Sequence, residues 1–191
     1  NTDPRIQRFS GYDQFNVLQK VRFKPGPDWD LLYSFTHAKT GDAPRYDRLI
    51  QYRNGALRFA EWYYGPMTWN MHALNVLHTR KTRLYDDARL TLAYQDYEES
   101  RIDRTRANNN RNKQTERVDA FSANLDANKA LGKGQLFYGL EYVFNKVGSL
   151  GERTNIGTGQ VTPMVSRYPD GSTWSTSGIY GSYKINLHPK F

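Results

Sequence analysis

Period-two alternation, a thin aromatic-rich apolar content, and connections that switch between brief and extended predict an all-β chain. The expected architecture is a set of antiparallel up-and-down strands forming part of a large transmembrane β-barrel. The alternation is clearest between Arg117 and Phe144, where Phe121, Ala123, Leu125 and Ala127 are apolar and Ser122, Asn124 and Asp126 stand between them. After Leu131-Gly132-Lys133-Gly134, residues Leu136, Tyr138, Leu140, Tyr142 and Phe144 share one side, against Gln135, Gly139, Glu141 and Asn145. A period of two marks a strand, and a short glycine-containing link between two such runs makes an antiparallel hairpin. Each run matches the roughly 9–11 residues of a tilted membrane-crossing strand.

Composition agrees. Aromatic residues make up 14% of the 191, with 14 Tyr, yet hydrophobic residues reach only 38% and mean hydropathy is -0.82. Barrel strands give every second residue to water, so their apolar surface is a skin and not a core. No run of 18 apolar residues is present, which excludes a membrane-crossing helix. The chain has no Cys, so no disulfide scaffold is expected. Asn1-Thr2-Asp3-Pro4 has neither the charged nor the apolar region of a signal peptide, so for an exported protein the signal is expected upstream. The net charge of +8 lies mostly in connections and on polar strand faces. Its one dense stretch, from Arg101 to Lys113, reads as a solvated loop before a phosphate-binding patch.

Taken in order, residues 1–11 are loop. Residues 12–24 form the first strand, with Phe15, Val17, Val21 and Phe23 against Gln14, Asn16, Lys20 and Arg22. Pro25-Gly26-Pro27-Asp28 ends it, because proline lacks an N–H and fixes φ. Residues 31–38 return, Leu31, Tyr33, Phe35 and His37 on one side and Ser34, Thr36 and Ala38 on the other. A polar excursion runs from Lys39 to Pro66, and its 57–64 portion has the character of a strand prolonged beyond a membrane. Residues 67–78 are a third strand, with Trp69, Met71, Ala73 and Leu77 assigned to the apolar side although Asn75 interrupts them and Leu74 and Val76 lie opposite. Residues 80–87 are a charged turn, and Ala88, Leu90, Leu92 and Tyr94 define a fourth strand that fades into Glu98-Glu99-Ser100. Loops are expected at 101–114 and 146–177, on either side of the central hairpin. The last strand, 179–187, sets Ile179, Tyr183, Ile185 and Leu187 against Tyr180, Ser182, Lys184 and Asn186.

Short links near Pro27, Asp86 and Gly132 thus alternate with long ones around Tyr46, Asn109 and Thr162, the pattern of periplasmic turns and extracellular loops. Single-chain bacterial barrels close on even strand numbers, and lipid does not tolerate an open edge. Seven strands are therefore expected to be one segment, residues 1–191, of a larger barrel domain whose plug lies outside the chain.

Several runs resemble a known family. Pro44-Arg45-Tyr46-Asp47-Arg48-Leu49, Ala60-Glu61-Trp62-Tyr63-Tyr64-Gly65-Pro66, Ala93-Tyr94-Gln95 with Glu98-Glu99-Ser100-Arg101, and Phe137-Tyr138-Gly139-Leu140-Glu141-Tyr142 look like the barrel portion of TonB-dependent outer-membrane receptors. The haem, haemoglobin and transferrin receptor branch is the nearest likeness. That resemblance implies a plugged barrel of the 22-stranded type in the bacterial outer membrane. It also implies import of a scarce ligand, haem or another iron source, energised by the TonB complex through the plug, with a surface lipoprotein or a host haem or iron protein as a further partner. The Phe-Arg-Ala-Pro and Asn-Pro-x-Leu segments of haem receptors are missing from these residues, which leaves the ligand open.

Candidate ligand residues are Arg45, Tyr46 and Arg48, a basic loop suited to a propionate or ferric chelate through charge-assisted hydrogen bonds. Pairing of Arg45 or Arg48 with Asp47 is an equal alternative. Of His37, His72, His78 and His188, His72 is the candidate ligand because its parity opposes Trp69 and Met71, which would aim it into the lumen; His37 belongs at the outer interface. Trp62, Tyr63, Tyr64 and Trp69 read as membrane-interface aromatics, or else as a stacking platform. No resident cofactor, no metal site and no nucleic-acid partner are expected. Without a Gly-x-Ser-x-Gly elbow, phosphate loop or His-Glu-x-x-His run, neither is an enzyme. The competing reading is a soluble all-β, lectin-like or adhesive binding domain.

Overall fold

Alternating sequences form ladders, and the register of the ladder decides which side chains meet. The structure, a computed structural model, describes residue 3 and residues 5–185. In chain order the elements are β1 (Gln14–Gly26), β2 (Trp29–Thr40), β3 (Ala43–Pro44), α1 (Tyr46–Leu49), β4 (Tyr52–Arg53), β5 (Ala56–Leu57), β6 (Phe59–Tyr64), β7 (Met67–His78), β8 (Asp87–Thr105), β9 (Asn110–Leu131), β10 (Gly134–Asn155), β11 (Val161–Met164) and β12 (Ser172–Ile185). The chain is all-β, and one antiparallel up-and-down sheet carries the long strands in the order β1-β2-β7-β8-β9-β10, with β12 beyond β10. β6 lies in line with β7 along β8, and β11 in line with β12 along β10.

Directly opposed residues of antiparallel strands share a face. From Leu140 of β10 one row runs to Ile179 of β12 on one side and, on the other, to Leu125, Leu90, Val76, Leu31 and Phe23. The neighbouring row, on the other face, runs from Glu141 to Gly178 and to Asn124, Thr91, Asn75, Leu32 and Arg22. One face is therefore apolar across seven strands, and the other mixed and largely polar. Among the described residues nothing packs on the apolar face: Leu140 is 50% exposed and Ile179 86% exposed. The accessible surface, 13470 Å², far exceeds the roughly 9,400 Å² that area scaling gives a compact monomer of this mass.

The apolar band runs obliquely to the ladder. A line of paired residues starts at Gln19, the middle of the 15–23 apolar run of β1, and passes through Phe35, His72, Tyr94, Phe121, Phe144 and Ser175. The middle of each apolar run lies progressively farther toward the Gly132 end: one residue at Ser34, three at Asn75, Thr91 and Asn124, four at Leu140 and seven at Ser182. With about 3.3 Å per residue and 4.8 Å per strand, seven residues over six pairings is a slope of about 39°.

Several expectations from the sequence change. Residues 101–105 and 110–114 are strand, leaving a turn of four residues between β8 and β9, and residues 146–155 continue β10. Asn- and Arg-rich runs look like loop because neither face of this part is apolar, yet their backbone is satisfied by 22 consecutive pairs between β9 and β10. The last strand begins at Ser172; Asn186, Leu187 and His188 lie outside the described residues. On β7 the apolar face carries Leu74 and Val76, between Tyr33 and Leu92 and between Leu31 and Leu90. Trp69, Met71, Ala73 and Leu77 stand on the polar face, reversing the sequence-based assignment.

Two glycines show where backbone approach is tight. Gly65 has φ +118, and a Cβ there would meet the Gly41 carbonyl oxygen at 2.6 Å. Gly139 lies under the Tyr180 ring, where a Cβ would fall 2.3 Å from Cε1; the ring passes over it to donate its hydroxyl to Asp126 at 2.7 Å.

Candidate ligand site on the polar face

Beyond the apolar band, away from the short turns, the strands carry the chain's deepest burial. Phe59, Trp62, Ser100, Ile102, Glu116 and Ser149 are buried there, and Trp62 is only 9% exposed. β6 builds this region by pairing with the far end of β8, Trp62 opposite Asp103 and Tyr64 opposite Arg101. The register puts Trp62, Tyr64 and Arg101 on the polar face, with Tyr63 on the other side next to Ile102. The Ser100 hydroxyl donates to the Gly65 carbonyl, which fixes the junction between β6 and β7.

α1 and the residue that precedes it add two guanidinium groups, those of Arg48 and Arg45. The Arg45 backbone N–H donates to the Trp62 carbonyl at 3.0 Å. Its side chain donates from Nε and Nη2 to the two Asp47 oxygens, each at 2.7 Å, and from Nη1 to the Tyr64 hydroxyl at 3.0 Å. These hydrogen bonds hold Asp47 below the ordinary carboxylate range and raise Arg45 further above its own. Trp62 and Tyr64 meet edge to face at 5.0 Å. Around the indole stand Arg45, Arg101 and Arg48, at 5.3, 5.7 and 5.8 Å from its centroid. Arg101 also lies 5.2 Å from the Tyr64 ring. Guanidiniums near aromatic faces gain roughly 0.5–2 kcal/mol each, more as water is excluded.

A second cluster adjoins it. Glu99 and Glu116 face one another in register, with Ser149 next in the row. Residues 165–171, between β11 and β12, return to this face so that Arg167 stands 3.5 Å from Glu116 and 3.9 Å from Glu99. The segment is tied down by the Ser149 N–H donating to Asp170 at 2.9 Å, the Tyr168 N–H donating to the Ser149 hydroxyl at 3.3 Å, and the Gly171 N–H donating to the Val147 carbonyl at 2.9 Å. Burial pushes the Glu116 carboxyl up, opposed by Arg167.

Of the expected ligand residues, Arg45 and Arg48 come together, while Tyr46 stays exposed on α1 outside the cluster. His72 does not join them. It lies on the apolar face, its Nδ1 2.7 Å from the Tyr33 hydroxyl and its ring 4.9 Å from Phe35. The physical reason is the parity of β7: Leu74 and Val76 fix that face, and His72 falls on it with them. His37, paired with Asn70 at 2.7 Å, and His78, over Trp29 at 4.2 Å, share the same side. Trp62, Tyr64 and Trp69 lie on the polar face and Tyr63 on the other, and the Trp69 indole donates to Gln95 at 3.1 Å. Among the described residues no three His, Cys, Asp or Glu converge as a metal site. Arg101, Glu99 and Glu116 were hidden because this part of their strands resembles loop, and Arg167 because it reaches the face from the 165–171 segment outside any strand; Ile102, a lone apolar residue among charges, is the one signal that the alternation continues. Compared with family models, curated proteins and solved structures, the chain matches none.

Proposed function

We propose that this sheet is a segment of the barrel wall of a TonB-dependent outer-membrane receptor, which captures a scarce anionic ligand, haem or another iron source, and imports it with energy from the TonB complex. The slope of the apolar band carries this reading. A value of about 39° falls within the 35–45° tilt of strands in outer-membrane barrels, and a tilted wall is what brings such a band level with a bilayer. The size of the face adds to it. Seven strands at about 4.8 Å, with apolar runs of roughly seven residues at about 3.3 Å each, give roughly 800 Å², above the 300–600 Å² of the largest patch on a typical soluble monomer. A lectin-like domain in water would leave that face wet.

In this arrangement the apolar side meets lipid and the mixed side lines the lumen. The short links at 27–28, 79–86 and 132–133 lie at the periplasm, and the far halves of β8, β9 and β10 stand outside the membrane. β1 and β12 are the edge strands of the sheet. Lipid requires their outer N–H and C=O groups to be paired, and further strands of the barrel would do so. The plug, through which TonB acts, and a lipoprotein or host iron-protein partner belong to the same proposal.

These 191 residues hold no Cys, so a cysteine introduced among them is the single label of this segment. Single cysteines at positions 121–126 of the intact protein, labelled with bimane in brominated phospholipid vesicles, should be quenched at 121, 123 and 125 and spared at 122, 124 and 126. Quenching without a period of two would defeat the proposal.

A further inference from the structure

We propose that the link between β7 and β8, residues 79–86, binds the headgroups of the inner leaflet: Leu84 enters the bilayer while Arg80, Lys81 and Arg83 hold the phosphates of acidic phospholipids. The assignment rests on the apolar face meeting lipid and names the lipid that this wall prefers. Three side chains of that face hold the link over it. The Tyr138 hydroxyl donates to the Leu84 carbonyl at 2.7 Å, Lys129 Nζ donates to the Thr82 carbonyl at 2.6 Å and to Asp86 at 2.7 Å, and His78 Nδ1 lies 3.0 Å from the Tyr85 hydroxyl. Thr82 and Tyr85 close the turn. The Thr82 N–H donates to the Tyr85 carbonyl at 2.7 Å, and its hydroxyl accepts from the Leu84 and Tyr85 N–H groups at 3.2 and 3.0 Å. Arg83 and Leu84 are thus its tip, both exposed, Leu84 at 73%.

Depth and charge choose the partner. Asp86 and Lys129 each lie five residues from the middle of the apolar run of their strand, Thr91 and Asn124. On strands sloped at about 39°, with about 3.3 Å per residue, that is about 13 Å, half of an apolar band about 25 Å tall. The link therefore stands where hydrocarbon gives way to headgroups. Tyr183, on the same face, donates to the Leu131 carbonyl at 2.7 Å, and rings with a polar tip turned toward water belong at that boundary. The charges on and beside the link are Arg80, Lys81, Arg83 and Lys129 against Asp28 and Asp86. Asp86 is taken by Lys129 and by the Ala130 N–H at 2.8 Å, with Lys81 in range of it, and Asp87 turns to Asn128 on the polar face. Cations are left in excess at the depth where a bilayer presents phosphate, and a basic cluster there favours anionic lipid. A protein or nucleic acid would have to displace lipid to reach Leu84.

The probe is phosphatidylglycerol. The intact protein is labelled with bimane through Leu136→Cys, a position paired with Lys129 on the apolar face, and placed in vesicles of phosphatidylglycerol and phosphatidylcholine in which one lipid or the other is brominated. Brominated phosphatidylglycerol should quench more than brominated phosphatidylcholine at equal fraction. A basic residue near the surface is worth roughly fivefold, so Arg83→Gln should lower that preference severalfold, and Arg80→Gln, Lys81→Gln and Arg83→Gln together should abolish it. Arg89→Gln, at the same end but on the polar face, should not change it. Equal quenching by the two lipids in the native protein, or an undiminished preference in the triple variant, would overturn the assignment. So would loss of the preference when inorganic phosphate replaces chloride at matched ionic strength, which marks a site for free phosphate. The quenching pattern at 121–126 does not involve this link, so a protein that keeps it and shows no lipid preference refutes this inference while leaving the receptor reading intact.

Discussion

Arginine at position 140 should separate a wall in lipid from a sheet in water. Leu140 sits at the middle of the apolar run of β10, between Leu125 and Ile179, and is 50% exposed. In water, half of a leucine's burial is worth about 1 kcal/mol, and the aliphatic stem of arginine covers much of the same ground. The net loss of Leu140→Arg there is about 0.5 kcal/mol. At the middle of a bilayer the same change costs about 2–4 kcal/mol, roughly 30- to 1,000-fold in the folding equilibrium. Glu141, one residue on, faces Asn124 and Gly178 on the polar side, and Glu141→Arg should cost under about 0.5 kcal/mol in either medium. Reversible urea unfolding of the intact protein in phospholipid vesicles measures both. A gap of at least about 1.5 kcal/mol between the two variants is expected; equal losses would refute the assignment of the faces to lipid and lumen.

Two further outcomes follow from the far end of the sheet and from β7. The Glu116 carboxyl lies beyond the apolar band and is raised above its ordinary 4.5 chiefly by burial, so the folded state holds that proton more tightly than the unfolded state. Its contribution is fully present below the unfolded value and is lost as pH rises through the folded one. Glu116→Gln should therefore slow exchange of the Tyr168 and Gly171 amides at pH 7 and flatten its rise between pH 4.5 and 7; faster exchange in the variant at pH 7 would contradict the sign. His72→Ala should leave retention of the intact protein on haem-agarose unchanged, because His72 is on the apolar face with Tyr33 and Phe35; lost retention would place it in the ligand path after all.

Where one face was uniformly apolar, alternation in the sequence located the strand and its side together, as from Phe121 to Ala127 and from Leu136 to Phe144. It failed in two physical circumstances. On β7 both faces carry large apolar side chains, so parity within the strand is ambiguous and only the neighbours resolve it: Leu74 stands between Tyr33 and Leu92. Beyond the band, both faces are polar and the period of two has no apolar member to display it. Arg111, Asn112 and Lys113 then look like loop although each is paired on β10 with Thr154, Arg153 and Glu152.

The site was half legible for the same reason. Arg45, Arg48 and Asp47 are neighbours in sequence, and Trp62 and Tyr64 share a strand face, so their chemistry could be read locally. Joining the two groups required β6 to run along β8, which no local pattern specifies. Arg101 enters only through that pairing, opposite Tyr64, and Arg167 only because residues 165–171 leave the sheet edge between β11 and β12. Long-range register is thus what turns a basic loop and an aromatic strand into one cluster. Within it Arg45, the most conspicuous candidate by sequence, is spent on Asp47 and Tyr64. Arg101, which no local motif points to, joins the Trp62 and Tyr64 rings through register alone.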